Sequence, residues 1–251
     1  MQFKKYFFLF AHPDDEVYCC VLINRLINSS KKVVLVYATS GDAGGNPTAR
    51  EKEVLASAEK MGVKEKNVHF LQIPEKRLLN RLHQVVNSSS EIVRKFKPDC
   101  VLGQDYEGGH EGHDAVSFCA AEVVRLARIK HYFVFPVYHG KPKERKGARF
   151  KAQRKKYLTL KLIQEEQGFK KDILEIYNCQ KNHFDGLQAS SSDYYRLLFS
   201  REVYFRIDKR INFQEKPMIE IGYEYHRNGF NYGDFQKAIV VYNNNQLHRV
   251  T

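Results

Sequence analysis

The apolar positions of this chain fall into two alternating patterns. Unbroken apolar runs of strand length, such as 6–11 and 33–38, are separated by longer stretches in which apolar residues recur at helical steps. The runs predict strands at 6–11, 33–38, 68–73, 100–103 and 132–137. The stretches between them predict helices over about 15–28, 49–61, 78–96 and 114–128; in the last, Val116, Ala120, Val123, Val124 and Ala127 keep helical spacing. Gly62 closes the second helix and Pro98 stops the third. Fully apolar strands alternating with helices are what a parallel sheet covered on both faces requires. The expected fold class is therefore α/β, doubly wound, with a mostly parallel sheet, helices on both faces and right-handed crossovers.

Beyond Tyr138 the pattern changes. A basic stretch covers 140–156, a helix is expected over 170–180, and Ile219, Ile221, Tyr223 and Tyr225 alternate with Glu220, Gly222 and Glu224 as in a strand with one wet face. There is no internal repeat and no low-complexity linker. The expected organisation is a core over 1–140, with 141–251, including a β-strand, packing on it as part of one domain.

At 251 residues the chain is long enough to bury a core without disulfide or metal staples. The five cysteines are odd in number, scattered and without a CxxC pair, which reads as reduced thiols. The run 6–11 is short for a signal peptide and no stretch reaches the length of a membrane span, so the expected location is cytoplasmic.

Reactive side chains collect in the loops after the strands, where parallel sheets bind ligands. His12, Asp14, Asp15 and Glu16 follow the first strand; Ser40, Asp42 and then Arg50 follow the second; Asp105, Glu107, His110, Glu111, His113 and Asp114 follow the fourth. His12 and Asp15, like His110 and His113, are three residues apart, a spacing that aims both side chains at one point. Catalytic zinc takes about three imidazole or carboxylate ligands and keeps a position open. Taken singly, each group has a plainer reading: filler histidines, acids at a helix start, a glycine loop at Gly108 and Gly109. Their coincidence at neighbouring strand ends favours a metal site, with the leftover carboxylate and imidazole as base and acid.

These residues also carry a resemblance. Ala11-His12-Pro13-Asp14-Asp15-Glu16 reproduces the AHPDDE motif of the PIG-L/LmbE-like zinc-dependent N-deacetylases, Thr39-Ser40-Gly41-Asp42 resembles their Thr-x-Gly-acid loop, and Arg50, Glu53, Ala58 and Gly62 resemble the helix that follows. Gly109-His110-Glu111-Gly112-His113 is similar to their second histidine motif, with Gly112 where the family usually has an acid. A weaker likeness returns at Tyr177-Asn178-Cys179-Gln180 and Ser200-Arg201-Glu202. The resemblance implies a Rossmann-like catalytic core and removal of an N-acetyl group from an N-acetylglucosamine-type amino-sugar conjugate. It implies Zn2+ held by His12, Asp15 and His113, Asp14 as general base, His110 acting on the oxyanion and leaving amine, and Arg50 binding substrate. Glu16 reads as an orienting acid, Asp42 equally as a supporting or a turn residue, and His139 as a loop residue. His69, His83, His131, His183, His226 and His248 have no visible partners in the sequence.

The net charge of +12 raises a different class of function. From Lys141 to Lys171 there are 12 Lys and Arg against three Glu. The first expectation is a solvated face; contact with an anionic membrane surface, or with an anionic or lipid-linked substrate, is the second. No specific nucleic acid is expected, since aromatics are sparse there and no binding motif appears. The competing reading of the whole chain is a weak or inactive scaffold serving as a basic nucleic-acid- or membrane-binding module, which the glycine at position 112 keeps open. Neither the aglycone nor the oligomeric state is legible.

Overall fold

The computed structural model describes residues 3–151, 156–190, 193–225 and 229–247. Five parallel strands form its centre: β1 (Lys5–Phe10), β2 (Lys32–Thr39), β3 (Val68–Ile73), β4 (Cys100–Gln104) and β5 (His131–Phe135). A short hairpin follows, β6 (Tyr138–His139) with β7 (Lys146–Gly147). Then β8 (Leu158–Lys161) and β9 (Arg201–Arg206) join the same sheet antiparallel, giving the order β3-β2-β1-β4-β5-β9-β8.

The helices are α1 (Cys20–Asn28), α2 (Pro47–Lys60), α3 (Leu82–Phe96), α4 (Glu111–Ala127), α5 (Gln164–Ile176), α6 (Lys181–Ser190), α7 (Tyr194–Ser200) and α8 (Tyr232–Leu247). Alternation along β1 shows why both sheet faces need cover. Tyr6, Phe8 and Phe10 enter a core with α1, α2, α5 and α7, while Phe7, Leu9 and Ala11 enter a second core with α3, α4 and α8. The chain leaves β1 for β2 on one side and reaches β4 on the other. This topological switch opens a crevice at the carboxyl ends of β1 and β4.

Several expected elements shift. The helix expected over 15–28 begins as a 3-10 turn at Asp15–Tyr18, and α1 starts only at Cys20. The helix expected over 78–96 likewise opens with a 3-10 turn at Leu79–Arg81 before α3. The helix placed at 170–180 runs earlier, over α5, where the Glu166 carboxylate accepts the Ile163 N–H and fixes the start, and Arg25 pairs with the same group.

The strand expected around Ile219–Tyr225 does not form. Gly222–Tyr225 is a 3-10 turn, with Ile221 and Tyr223 buried and Ile219 96% exposed. The positions next to β5 are already taken, by β9 and then β8. Instead the Gly222 N–H donates to the Gly108 carbonyl at 2.7 Å, and a side chain at 222 would collide with the Gly140 carbonyl. The carboxy-terminal strands are therefore β8 and β9.

Glu202 on β9 ties the halves together. Fully buried, it accepts from the Val21 and Leu22 N–H groups at 3.0 and 2.9 Å, from Lys170 Nζ at 2.9 Å and from the Tyr204 hydroxyl at 2.8 Å. It thereby satisfies the orphan amides at the start of α1.

The basic segment is not a continuous solvated face. Lys170 and Lys151 are buried, Lys141 pairs with Glu220 at 2.6 Å, and Arg149 lies 3.8 Å from Asp193; residues 152–155, with His226 and His248, lie outside the described residues. Among the described residues no helix is long and apolar enough to cross a membrane.

Candidate active site and metal centre

The first motif is aimed by the ends of three strands. The Ala11 N–H donates to Gln104 Oε1 at 2.9 Å, and Thr39 donates to the Ala11 carbonyl through its N–H and its hydroxyl, at 2.9 and 2.7 Å. The chain then turns sharply. Asp14 adopts a left-handed conformation (φ 106°), a costly geometry for a residue with a side chain and a mark of functional strain. The His12 N–H donates to Asp15 Oδ2 at 2.6 Å, so the turn holds the carboxylate next to the imidazole it must accompany.

The second motif forms the start of α4. His110 caps the helix: its Nδ1 accepts the Gly112 N–H at 3.0 Å, which leaves the hydrogen of the neutral ring on Nε2. His113 lies one turn further in and points back at the first motif. His113 Nε2 is 3.2 Å from His12 Nδ1 and 3.2 Å from Asp15 Oδ1, and Asp15 Oδ2 is 3.5 Å from His12 Nδ1. Three ligands held 2.0–2.1 Å from a tetrahedral ion lie about 3.3 Å from one another. The three side chains therefore fit a metal, and all are buried. His110 belongs to the same cluster: ligand atoms of His12, His110 and His113 all lie within 4.8 Å of one another.

The two neighbouring aspartates diverge electrostatically. Burial pushes Asp14 up, against the opposing pull of Arg50, and its carboxyl sits well above the usual range. Asp15 is equally buried, but His113 and His12 outweigh that and hold it well below. Paired carboxylates driven apart in this way divide the roles of proton acceptor and permanent anion. For His12, burial opposes the charge, yet Glu75, Asp15 and Asp14 raise it to about 9. Acidic groups thus surround the His12 imidazole.

Arg50 reaches the same place from α2, whose start is fixed by Asn46 accepting from Thr48 and Ala49 with Pro47 next to it. It is 2% exposed, donates to the Pro13 carbonyl and lies 3.5 Å from Asp14 Oδ2. Gly41 makes room for it, because a Cβ there would stand 2.8 Å from Arg50 Nε. Glu16 faces away into the core, accepting from Ser57 at 2.7 Å and from Tyr177. Asp42 is a turn acceptor that also positions Glu75, taking the Ser40 hydroxyl at 3.0 Å and the Glu75 N–H at 2.8 Å.

All six expected site residues line one cavity of about 160 Å³. Its remaining wall includes Gln180, part of the weaker carboxy-terminal likeness, and groups the sequence did not single out: Glu75, Tyr138, His183 and Phe184. Glu75 directly follows β3, the one strand end left unconsidered, so its position was a usable signal. Its Oε2 lies 3.9 Å from His12 Nε2. Tyr138 packs its ring 5.3 Å from that of His113, and Gln180 donates to the Gly44 carbonyl at 2.8 Å, closing the glycine loop against the carboxy-terminal third. His183, without a visible partner in the sequence, stands 5.9 Å from the Tyr138 ring, and the protein packed around it, with Arg145 nearby, lowers its pKa. His139 is buried beside Glu107, with Nδ1 at 3.3 Å from Oε2, outside the cavity wall.

A family model described as PIG-L: GlcNAc-PI de-N-acetylase matches residues 7–124, which contain both histidine motifs. Residues 7–124 form a PIG-L family domain. The probable N-acetylglucosaminyl-phosphatidylinositol de-N-acetylase of Schizosaccharomyces pombe is 29% identical over 137 residues, covering 51% of this chain and 54% of that protein. The match thus spans about half the length of that curated relative. Two solved structures share the fold of this chain. The N,N'-diacetylchitobiose deacetylase from Pyrococcus horikoshii, complexed with its inhibitor, superposes with a TM-score of 0.60 at 20% identity, covering 92% of this chain and 88% of its own. The antimicrobial reagent A40926 pseudoaglycone deacetylase Dbv21 gives 0.65 at 12% identity, covering 83% and 99%.

The structure explains the glycine in the second motif of this PIG-L domain. A Cβ at position 112 would stand 2.8 Å from His12 Nε2 and 3.0 Å from its Cε1. Asp114 does not take over as an orienting acid, since its Oδ1 accepts the Glu107 and Gly108 amides at 3.1 and 3.0 Å. Glu111 comes no nearer than 3.7 Å to His110 Nδ1. Gly112→Asp, which restores the family's usual acid, will therefore displace His12 and weaken metal retention by about 10–100-fold, the range for disturbed supporting residues. Metal titration of the purified variant checks this; tighter binding would contradict the packing argument.

Proposed function

We propose that the protein is a zinc-dependent hydrolase that removes the N-acetyl group from an N-acetylglucosamine-type amino-sugar conjugate. The observation that carries this is the convergence of His12, Asp15 and His113 donor atoms at 3.2–3.5 Å inside a PIG-L domain, with Asp14 and His110 beside them. Two imidazoles and a carboxylate are a donor set that catalytic zinc accepts. Bound there, zinc would polarise the acetyl carbonyl and lower the pKa of a coordinated water to about 7.

The chain's own groups do the remaining work. Asp14, held by Arg50 and its strained backbone at the cavity wall, takes a proton from water as the oxygen attacks the acetyl carbon. The neutral His110, fixed by the Gly112 amide, presents Nε2–H to the oxyanion of the tetrahedral intermediate. The C–N bond then breaks, and Asp14 returns its proton to the departing amine. A carboxyl held above its ordinary range suits both halves of this exchange. Glu75, with its carboxylate on the cavity wall, is placed to accept hydrogen bonds from sugar hydroxyls. The five free thiols, four of them buried, support a cytoplasmic setting.

The test is metal analysis of the purified chain together with acetate release from N-acetylglucosaminyl-phosphatidylinositol and simpler N-acetylglucosaminides. Asp14→Asn should lower kcat by about 10²–10⁴-fold while retaining metal. Activity should decline as pH falls through the raised Asp14 pKa, because protonation removes the base. Undiminished turnover by Asp14→Asn would sink the assignment; absence of both metal and activity in the intact protein would favour the inactive scaffold.

A further inference from the structure

The cations that matter outside the pocket gather at the opposite end of the molecule. The active site stands at the carboxyl ends of the strands, and α4 runs away from it for 17 residues, about 25 Å at 1.5 Å per residue. The connections at that far end are basic: Lys31 and Lys32 before β2, Lys97 before β4, Arg128 and Lys130 before β5. The chain leaving β9 adds Lys209 and Arg210.

Between α4, the start of β5 and this segment lies a half-open groove of about 670 Å³, in the size range of small-molecule sites. Val124, Ile129, Ile207, Ile211 and Ile239 give it a largely apolar floor. Two carboxylates line it and both are paired, Glu122 with Arg125 at 2.7 Å and Asp208 with Arg206 at 2.8 Å. Arg210 is 81% exposed and reaches no closer than 3.9 Å to Glu122, while neither Lys130 nor Lys209 has an ion pair among the described residues. A second cavity of about 510 Å³ shares residues 207–212 with the first and adds Lys151, Arg206, Lys216 and Glu215; Lys151 Nζ donates to the Tyr106 and Pro217 carbonyls, and Lys216 lies 3.8 Å from Glu224. One compartment has an apolar floor and its neighbour carries five basic residues against Asp208 and Glu215, with Lys209 and Arg210 lining both.

We propose that these joined cavities bind a single-chain amphiphile with an anionic headgroup, its alkyl chain on the isoleucine floor and its head at Lys209 and Arg210. The argument is charge complementarity combined with shape. A concave apolar floor suits an inserted chain better than the flat face of a bilayer, and the scarcity of open aromatic rings disfavours a nucleic acid. The site lies apart from the pocket, so it stands whether or not the deacetylase reading does.

The test is calorimetric titration of the intact protein with monomeric dodecyl phosphate, with dodecyl maltoside (same chain, neutral head) and inorganic phosphate (head alone) in parallel. Saturable binding at one site is expected, at least about tenfold tighter than either control, since each half of the ligand contributes more than one factor of ten. Lys209→Glu combined with Arg210→Glu should weaken it by about tenfold or more and leave metal content unchanged, which shows that the variant is folded. Ile211→Gln should weaken both alkyl ligands together. Equal affinity for the neutral amphiphile, equal affinity for phosphate alone, or unaltered binding by the charge-reversed variant would each overturn the proposal. Retention on phosphatidylserine vesicles without binding of the monomeric amphiphile would also overturn it, assigning the face to a membrane surface.

Discussion

His113→Ala will yield a folded protein that no longer retains metal and has lost at least about a thousandfold in acetate release. The side chain fixes the site from both directions, standing 3.2 Å from His12 Nδ1 and 3.2 Å from Asp15 Oδ1. Without it two donors remain, and they come from the same turn. The several kcal/mol that a Lewis acid contributes to an acyl-transfer transition state correspond to a loss of about that size. Treating the wild-type protein with a chelator should reproduce the loss, and adding Zn2+ should reverse it in the wild type but not in the variant. Full activity of His113→Ala in metal-free buffer would remove the metal from the account. The fold should survive, because the ring contributes to the crevice and not to either of the two cores.

The largest effect on stability is expected from Lys170→Ala. Lys170 and Glu202 have no exposed side-chain surface, and their 2.9 Å contact is surrounded by apolar core. Removing the ammonium leaves a carboxylate in the interior with no countercharge, a change that costs about 3–5 kcal/mol. For a chain of this size that is on the order of 10 °C in Tm. Lys170→Met fills the volume without restoring the charge and should recover only part of the loss. Glu202→Leu combined with Lys170→Met removes the charge problem but leaves the Val21 and Leu22 amides without an acceptor, so it should remain below wild type. Thermal unfolding of the three variants checks this order. A Lys170→Ala protein that melts with wild type would show that the pair is not held as described.

The central strands were legible because a buried parallel strand leaves an unmistakable unbroken apolar run, as in the six residues of β1. The edge was not. β8 is four residues long, mostly exposed and set in a basic stretch, so nothing in its composition separates it from a loop. β9 interrupts its apolar residues with Arg201, Glu202 and Arg206, and only the fold reveals that Glu202 points inward to cap α1. The misplaced strand at Ile219–Tyr225 shows the complementary failure: its alternation reflects packing onto the Gly108 and Gly140 carbonyls, a tertiary demand that mimics a two-residue period.

The same division holds in the site. His12, Asp15, His110 and His113 were readable because each pair sits in one short segment. Tyr138 and His183 reach the cavity from chain far downstream with no local pattern to announce them, and Gln180 had only the faint carboxy-terminal likeness. The faint carboxy-terminal likeness was informative after all in a physical sense, since Tyr177 and Glu202 are the groups that grip the turn after β1 and the helix behind it. The heavy charge of 141–171 misled in the other direction: two of its lysines are interior, and Lys141 and Arg149 lie beside acids from distant parts of the chain.

The grip of Glu202 on α1 also has a temporal side. Its hydrogen bonds to Val21 and Leu22 bridge 181 and 180 residues of sequence. Such contacts raise the contact order of a fold and slow its acquisition, since a very long loop must close before any reward is gained. During synthesis the helix behind the turn after β1 emerges well before β9 and waits uncapped until β9 has left the ribosome. The start of α1 therefore gains its cap only after β9 has been made.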